Sequence, residues 1–211
     1  MADQRIRGLY VIVDPEACRG RDPVAVAGLA LAGGAKVLQW RDKRREKGDQ
    51  LAPARAIREL CAQHEAVFIV NDHVDLALAI GADGVHLGQH DLPPELVRPF
   101  VPEGFVIGVS TNNVEEARRA ESNGATYVAV GAIFPTGSKE PERTRAASPQ
   151  RLREVRAAVR VPVVAIGGIN ASNVGEVIEA GADAIAVISA VCGADDVRSA
   201  ARELAERFEG R

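Results

Sequence analysis

Pro162-Val163-Val164-Ala165-Ile166-Gly167-Gly168-Ile169-Asn170 is the stretch on which the fold turns. From Val163 to Ile166 the chain is apolar at odd and even positions alike. A strand with one solvated face alternates apolar and polar residues. A strand covered on both faces does not, and such strands belong to parallel sheets flanked by helices. The segment therefore reads as a buried parallel strand whose C-terminal end runs into Gly167-Gly168. The same figure recurs at 9–13, 35–40, 67–70, 84–87, 105–109, 127–130 and 184–188, which with 162–166 makes eight runs. Their tails hold Gln39, Arg41, Lys43, Asn71, Asp72, Asp91, Ser110, Thr136, Lys139, Gly167, Gly168 and Ser189.

Amphipathic stretches lie between the runs. Residues 24–32 are Ala-rich behind Asp22 and Pro23, which suit an N-cap and a first-turn proline. Residues 50–64 place Leu51, Ala54, Ile57, Leu60 and Cys61 at spacings of three and four. Helices are also expected at 73–80, 112–123, 149–159, 171–180 and 195–208, whereas 92–99, with three prolines, supports a single turn at most. Glycine marks four of the helix-to-strand joints, Gly33-Gly34-Ala35-Lys36, Gly81-Ala82-Asp83-Gly84, Gly124-Ala125-Thr126 and Gly181-Ala182-Asp183-Ala184, where a helix C-cap belongs. Alternating strands and helices imply parallel strands joined by right-handed crossovers. Eight such units close a (β/α)₈ TIM barrel, whose active site forms at the C-terminal strand ends. No Pro/Ser-rich linker divides residues 1–211, so a single barrel domain is expected. The longest irregular stretch, 134–148, follows the sixth strand and reads as a mobile active-site loop.

A chain of 211 residues can bury one core and is near the lower limit for such a barrel. Lys and Arg total 26 against 29 Asp and Glu, a balance that offers nothing to nucleic acid or an anionic membrane. There is no apolar stretch of membrane-spanning length, and Met1-Ala2-Asp3-Gln4-Arg5 is too polar to open a signal peptide. Cys18, Cys61 and Cys192 are odd in number and widely spaced, as in a reduced thiol set. A cytoplasmic enzyme acting on small phosphorylated molecules is the expectation; the sequence leaves oligomeric state, a homo-oligomer included, open.

In Gln39-Trp40-Arg41-Asp42-Lys43, strand alternation puts Gln39, Arg41 and Lys43 on one face and Leu38 and Trp40 on the other. An amide, a guanidinium and an ammonium together suit a phosphate. A solvated charged loop is the equal alternative, since Arg44-Arg45-Glu46-Lys47 continues it. Asp72 and Asp91 end neighbouring strands about 4.8 Å apart, close enough for two carboxylates to share one Mg²⁺. Each could instead cap a following turn, the commoner fate of a lone Asp. His86 and His90 straddle a strand end and Gly88 with no third ligand nearby, so a structural or supporting His86 is favoured over zinc. Gly108, Ser110, Ala129, Gly131, Ala165 and Gly167 are small and, if they face inward, hollow the mouth beside strands 5–7. Gly168 with Ile188 and Ser189 occupies the loops that often bind phosphate in these barrels, although a glycine pair alone also marks a tight turn. Thr136-Gly137-Ser138-Lys139 adds hydroxyls and an ammonium on the long loop.

Taken in order, Gln39-x-Arg41-x-Lys43, Asn71-Asp72, His86-Leu87-Gly88-Gln89-x-Asp91, Gly108-Val109-Ser110, Phe134-Pro135-Thr136-x-Ser138-Lys139, Gly167-Gly168-Ile169 and Ile188-Ser189 closely resemble the thiamine phosphate synthase (thiamine-phosphate pyrophosphorylase) family. The resemblance runs over nearly the whole chain. It implies a transferase that joins 4-amino-2-methyl-5-hydroxymethylpyrimidine diphosphate to a thiazole phosphate, with CO₂ lost when the thiazole is carboxylated. It further implies that Gln39, Trp40, Arg41, Asp42, Lys43, Asn71, Ser110 and Lys139 hold the pyrimidine diphosphate. Arg41, Lys43, Ser110 and Lys139 would act in catalysis. Thr136, Gly137, Ser138, Gly168, Ile188 and Ser189 would hold the thiazole phosphate, and Asp72 and Asp91 the Mg²⁺. Asp42 stands where the family commonly has Glu, and Ser138 where it commonly has Thr, which keeps the hydroxyl. The rivals are a thiazole tautomerase of the related barrel family, a non-catalytic regulator that binds thiamine phosphates, and another phosphate-binding barrel enzyme of sugar or tryptophan metabolism. The first two would have no use for the complete cation and carboxylate set, and the third usually carries a catalytic Lys or Glu within a strand.

Overall fold

A computed structural model describes residues 5–136 and 148–210. Its strands are β1 (Gly8–Val13), β2 (Val37–Trp40), β3 (Val67–Asn71), β4 (Gly84–Leu87), β5 (Val106–Thr111), β6 (Tyr127–Gly131), β7 (Val163–Ile166) and β8 (Ala184–Val187). They pair in chain order, all parallel, and β8 returns to β1 to close the barrel. Each expected run holds one strand, shifted by no more than two residues at either end.

The helices outside the barrel are α1 (Pro23–Ala32), α2 (Lys47–Gln63), α3 (Val74–Ile80), α4 (Pro94–Val97), α5 (Val114–Ser122), α6 (Pro149–Ala158), α7 (Val174–Glu179), α8 (Ser189–Cys192) and α9 (Val197–Glu209). Asp22 caps α1 by accepting from the N–H groups of Val24 and Ala25, as its position before Pro23 predicts. Helix α5 opens on a reciprocal box: Asn113 accepts from Glu116 N–H at 2.9 Å, and the Glu116 carboxylate accepts from Asn112 N–H at 2.7 Å. Gly81 adopts the left-handed backbone, φ 65°, that ends α3 without a Cβ clash. Two short elements escape the apolar-period reading: the 3₁₀ turn Pro15–Cys18 and the single-turn α8. Helix α7 starts three residues later than the sequence suggests, because Asn170 and Asn173 are used to build the loop before it.

Strand parity divides the core into two layers. Leu38, Trp40, Phe68, Val85, Ile107, Val128 and Ala165 face the helices and join the outer cluster. Tyr10, Ile12, Val37, Ile69, Val106, Tyr127, Ala129, Val164 and Ala186 fill the barrel interior. Cys18, Cys61 and Cys192 are buried and free. Among the described residues, no helix is long and apolar enough to cross a membrane.

Candidate active site

The register of the first strands brings the cationic and acidic side chains together. Ile12 pairs with Gln39 and Asn71 with His86, so these strand ends open onto one mouth. Arg41 follows β2, its backbone N–H donating to Val13 at 3.0 Å, and its guanidinium is ion-paired with Asp14 at the end of β1. Asp14 is buried and its other oxygen accepts from Glu16 N–H at 3.0 Å, so it clamps Arg41 from below. Lys43 reaches across to Asp72 and forms an ion pair with it.

Asp72 and Asp91 lie side by side. Their carboxyl groups are within hydrogen-bond reach of each other. Burial works against ionising Asp72, but the Lys43 ammonium, with the Asp91 hydrogen bond and the nearby His86, outweighs it and holds this carboxyl below its ordinary range. Asp91 moves the other way: burial, then the Asp72 charge, raise it despite the bond from Gly88 N–H. Neither residue caps a helix. The N-cap positions of α3 and α4 are His73 and Pro93, and neither makes a side-chain cap bond. Asp72 instead sits in the left-handed region at φ 61°. Such backbone in a residue other than Gly is strained and recurs at functional sites. Asp91 ties its own loop by accepting from Gly88 N–H at 2.6 Å. Among the described residues, no group of three His, Cys, Asp or Glu side chains gathers as a metal site.

Across the mouth, β6, β7 and β8 enclose a cavity of about 450 Å³ lined by Thr136, Gly167, Gly168, Ile188 and Ser189 among others. The glycine pair is demanded on two counts. Gly167 and Gly168 have φ of 100° and 66°. A Cβ on Gly168 would meet Pro135 O at 2.5 Å, and one on Gly167 would meet the Ala132 Cβ at 2.4 Å. Loop 7 is held from below by Asn173, whose amide donates to Gly168 O at 2.9 Å. Helix α8 begins at Ser189 on the cavity wall. A cavity between loops 7 and 8, beside a short extra helix, is the usual phosphate cradle of this architecture.

Between the two halves runs a buried polar chain. Gln39 donates from its amide to Tyr10 OH at 2.7 Å; Tyr10 OH and Tyr127 OH are 3.0 Å apart; Tyr127 OH meets His86 Nδ1 at 2.8 Å; His86 Nε2 meets Ser110 Oγ at 2.9 Å. Burial first, and for Tyr127 the neighbouring Tyr10, push both phenols well above their ordinary value, so both keep their protons. The sequence reading missed Tyr10, Tyr127 and Asp14. The available signal was a tyrosine at an inward parity of an apolar strand, which needs a partner for its hydroxyl.

Several expected residues sit elsewhere. The side chain of Trp40, expected among the pyrimidine diphosphate contacts, belongs to the outer layer, 1% exposed, and its Nε1 donates to Gln50 at 3.0 Å. Asp42 likewise turns away, accepting from the N–H groups of Arg44 and Arg45 at 2.9 and 3.0 Å and pairing with the Arg45 guanidinium. Together Trp40, Asp42, Arg45 and Gln50 brace the loop after β2 rather than face the mouth. The hollow beside strands 5–7 is also displaced. Tyr127 occupies the space above Gly108, where a Cβ would lie 2.0 Å from its ring, and Ala165 faces the helices. The open space is on the β6–β8 side instead. Gly137, Ser138, Lys139 and most of the 134–148 loop lie outside the described residues.

A closed parallel barrel with cations and paired carboxylates on one side of its C-terminal mouth, and a glycine-walled cavity on the other, has the architecture of a barrel enzyme that acts on small molecules. The chain belongs to the thiamine monophosphate synthase family, which it matches over residues 9–191, and this makes it a transferase. It is 50% identical over 199 residues to a thiamine-phosphate synthase of Methanospirillum hungatei, covering 94% of this chain and 96% of that one. It is 53% identical over 200 residues to a thiamine-phosphate synthase of Methanoculleus marisnigri, covering 95% and 94%. Among solved structures it resembles a thiamine phosphate pyrophosphorylase from Pyrococcus furiosus, with a TM-score of 0.90, 40% identity and 98% of each chain covered.

Proposed function

We propose that this chain is a thiamine-phosphate synthase that condenses 4-amino-2-methyl-5-hydroxymethylpyrimidine diphosphate with a thiazole phosphate, carboxylated or plain, releasing diphosphate and, from the carboxylated form, CO₂. The observation that carries the reading is the division of one mouth into two anion-suited halves. Arg41, Lys43, Asp72 and Asp91 stand on the β2–β4 side, and the Gly168–Ser189 cavity stands on the β6–β8 side. Two phosphorylated substrates then meet with their reacting centres between the halves, beside Gln39 and Ser110.

The diphosphate leaves before the new C–N bond forms, and the thiazole nitrogen attacks the pyrimidine methylene cation. The protein's task is to hold the leaving charge. Arg41 is prepaid in geometry, because Asp14 fixes the guanidinium before substrate arrives. Lys43 neutralises the Asp72 side of the site, and Lys139 is assigned to the same diphosphate from the sequence resemblance. Asp72 and Asp91, two adjacent carboxylates with no third His, Cys, Asp or Glu ligand among the described residues, fit the oxygen donor set of a Mg²⁺ shared with substrate phosphate oxygens. Bound there, Mg²⁺ would supply Lewis-acid charge to the departing diphosphate. Ser189 and the backbone around Gly168 hold the thiazole phosphate. C–N bond formation here needs no protein nucleophile.

Thermal protection tests the division. The thiazole phosphate should raise the melting temperature of the wild type and of Arg41→Ala alike, and lose its effect in Gly168→Ala. Pyrimidine diphosphate with Mg²⁺ should protect Gly168→Ala and not Arg41→Ala. Loss of both ligands in either variant would put them in one site and contradict the reading.

A further inference from the structure

The buried chain Gln39–Tyr10–Tyr127–His86–Ser110 crosses the barrel directly beneath the mouth and, with the Gln39 amide nitrogen turned to Tyr10 OH, its hydrogen bonds have only one consistent direction. An amide nitrogen donates and cannot accept, so Tyr10 OH must accept from Gln39. Among the described residues Tyr10 makes two hydrogen bonds, to Gln39 and to Tyr127, and it is 1% exposed. Its single proton must therefore go to Tyr127, since any other arrangement leaves a buried hydroxyl proton without an acceptor. Tyr127, 0% exposed, has accepted from Tyr10 and has only His86 Nδ1 left to receive its own proton. His86 Nδ1 is then an acceptor, and in this neutral ring the proton sits on Nε2, which donates to Ser110 Oγ. Ser110 has accepted from His86 and has no second hydrogen-bond partner among the described residues, so its own O–H is the one proton in this chain of bonds without an acceptor there.

We infer that Tyr10, Tyr127 and His86 are positioning residues that fix the Ser110 hydroxyl as a hydrogen-bond donor to an acceptor atom of the bound substrate, a ring nitrogen or a phosphate oxygen. The reversed chain, with Ser110 donating to His86, would offer substrate only the lone pairs of the serine oxygen. A Nδ1–H or doubly protonated His86 would force the same reversal on Tyr127 and strand the Tyr10 proton. The inward tyrosines therefore do more than fill the barrel. They transmit the donor character of the Gln39 amide to Ser110, across four hydrogen bonds. The inference rests on the proposed reading only in taking Ser110 to face substrate.

Two measurements test it on the purified full chain. The first needs no activity. With ¹⁵N-histidine labelling, long-range ¹H–¹⁵N correlations assign the protonated nitrogen of each of the four histidines, and His86→Gln identifies the His86 signals. The Nε2–H tautomer is expected in the wild type, with a mixture of tautomers in Tyr127→Phe, where the donor to Nδ1 is gone. A Nδ1–H or imidazolium His86 in the wild type, or an unchanged tautomer in Tyr127→Phe, overturns the inference. The second is a kinetic cycle. Tyr127→Phe should lower kcat/KM by about 5-fold, the scale of one misdirected hydrogen bond. In a Ser110→Ala background the same change should have almost no effect, because nothing is left to orient. An equal loss in both backgrounds would make Tyr127 a merely structural residue. Should Tyr127→Phe fold poorly, Tyr10→Phe breaks the chain one link earlier and must show the same dependence on Ser110. Wild type with the expected tautomer and no condensation would count against the proposed function alone.

Discussion

Asp72 and Asp91 touch, yet replacing each with Asn should move stability in opposite directions. Asp91 is raised by burial and by the Asp72 charge, so its ionised form is held against its surroundings. Two unit charges about 4 Å apart repel by about 1 kcal/mol in water and about 4 kcal/mol at an effective dielectric of 20. Asp91 is half-buried and Lys43 is close, so the relief from Asp91→Asn is taken at the low end, on the order of 1 kcal/mol. Asn keeps an oxygen for Gly88 N–H, so the loop bond survives. For a chain of this length, Tm should rise by about 2–4 °C. Asp72 has the opposite sign: its folded carboxyl is held below the ordinary range by Lys43. Asp72→Asn should cost up to about 1 kcal/mol, since the Lys43 side chain is 50% exposed and the pair is partly screened. The pH dependence follows. The Asp72 contribution is full above the unfolded carboxylate value and is lost as pH falls through the lower folded one. The Asp91 penalty is absent below the unfolded value and grows as pH rises through the higher folded one. Both variants should need more Mg²⁺ for half-maximal turnover, and the double variant should be nearly inactive. Melts across pH beside Mg²⁺ titrations at saturating substrate supply the data. A Tm several degrees lower in Asp91→Asn with an unchanged Mg²⁺ requirement would refute the reasoning and return Asp91 to a purely structural role.

Trp40→Phe should leave KM for the pyrimidine diphosphate within about 2-fold while costing about 1–3 kcal/mol in a denaturant melt, because it strands the buried Gln50 carbonyl. Gly168→Ala should raise KM for the thiazole phosphate and lower Tm, since the added Cβ meets both a left-handed backbone and Pro135 O; steady-state kinetics with one substrate varied at a time reads this. Lys139→Ala should lower kcat by about 10²–10³-fold with little change in Tm, the scale of losing one strong electrostatic stabiliser.

The barrel was legible because burial on both faces erases alternation. Val163 to Ile166 and the other apolar runs each became one strand, and the glycine joints marked where α1, α3, α5 and α7 stopped. Alternation also gave the faces of Gln39 and Trp40 correctly, although the family resemblance then added Trp40 to the substrate contacts. Its indole is committed to Gln50 ten residues on, a tertiary bond that strand parity does not encode. Small residues were a poorer guide, because Gly108 is small to admit Tyr127 from the next strand. The clamp of Asp14 on Arg41 and the Tyr10–Tyr127 contact join residues 27 and 117 positions apart. Pairing of β1 with β2 brings the first two together, and closure of the barrel the second two. Helix α8 was hidden by its four residues, too few for an apolar period to repeat.

The most direct test of the account is the condensation itself, followed for stoichiometry. Purified protein is given pyrimidine diphosphate, thiazole phosphate and Mg²⁺, and products are separated by chromatography with diphosphate measured in parallel. Thiamine phosphate and diphosphate should appear in equal amounts, and omission of either substrate or of Mg²⁺ should abolish both. Isomerised thiazole phosphate without coupled product, or diphosphate release without thiamine phosphate, would contradict it.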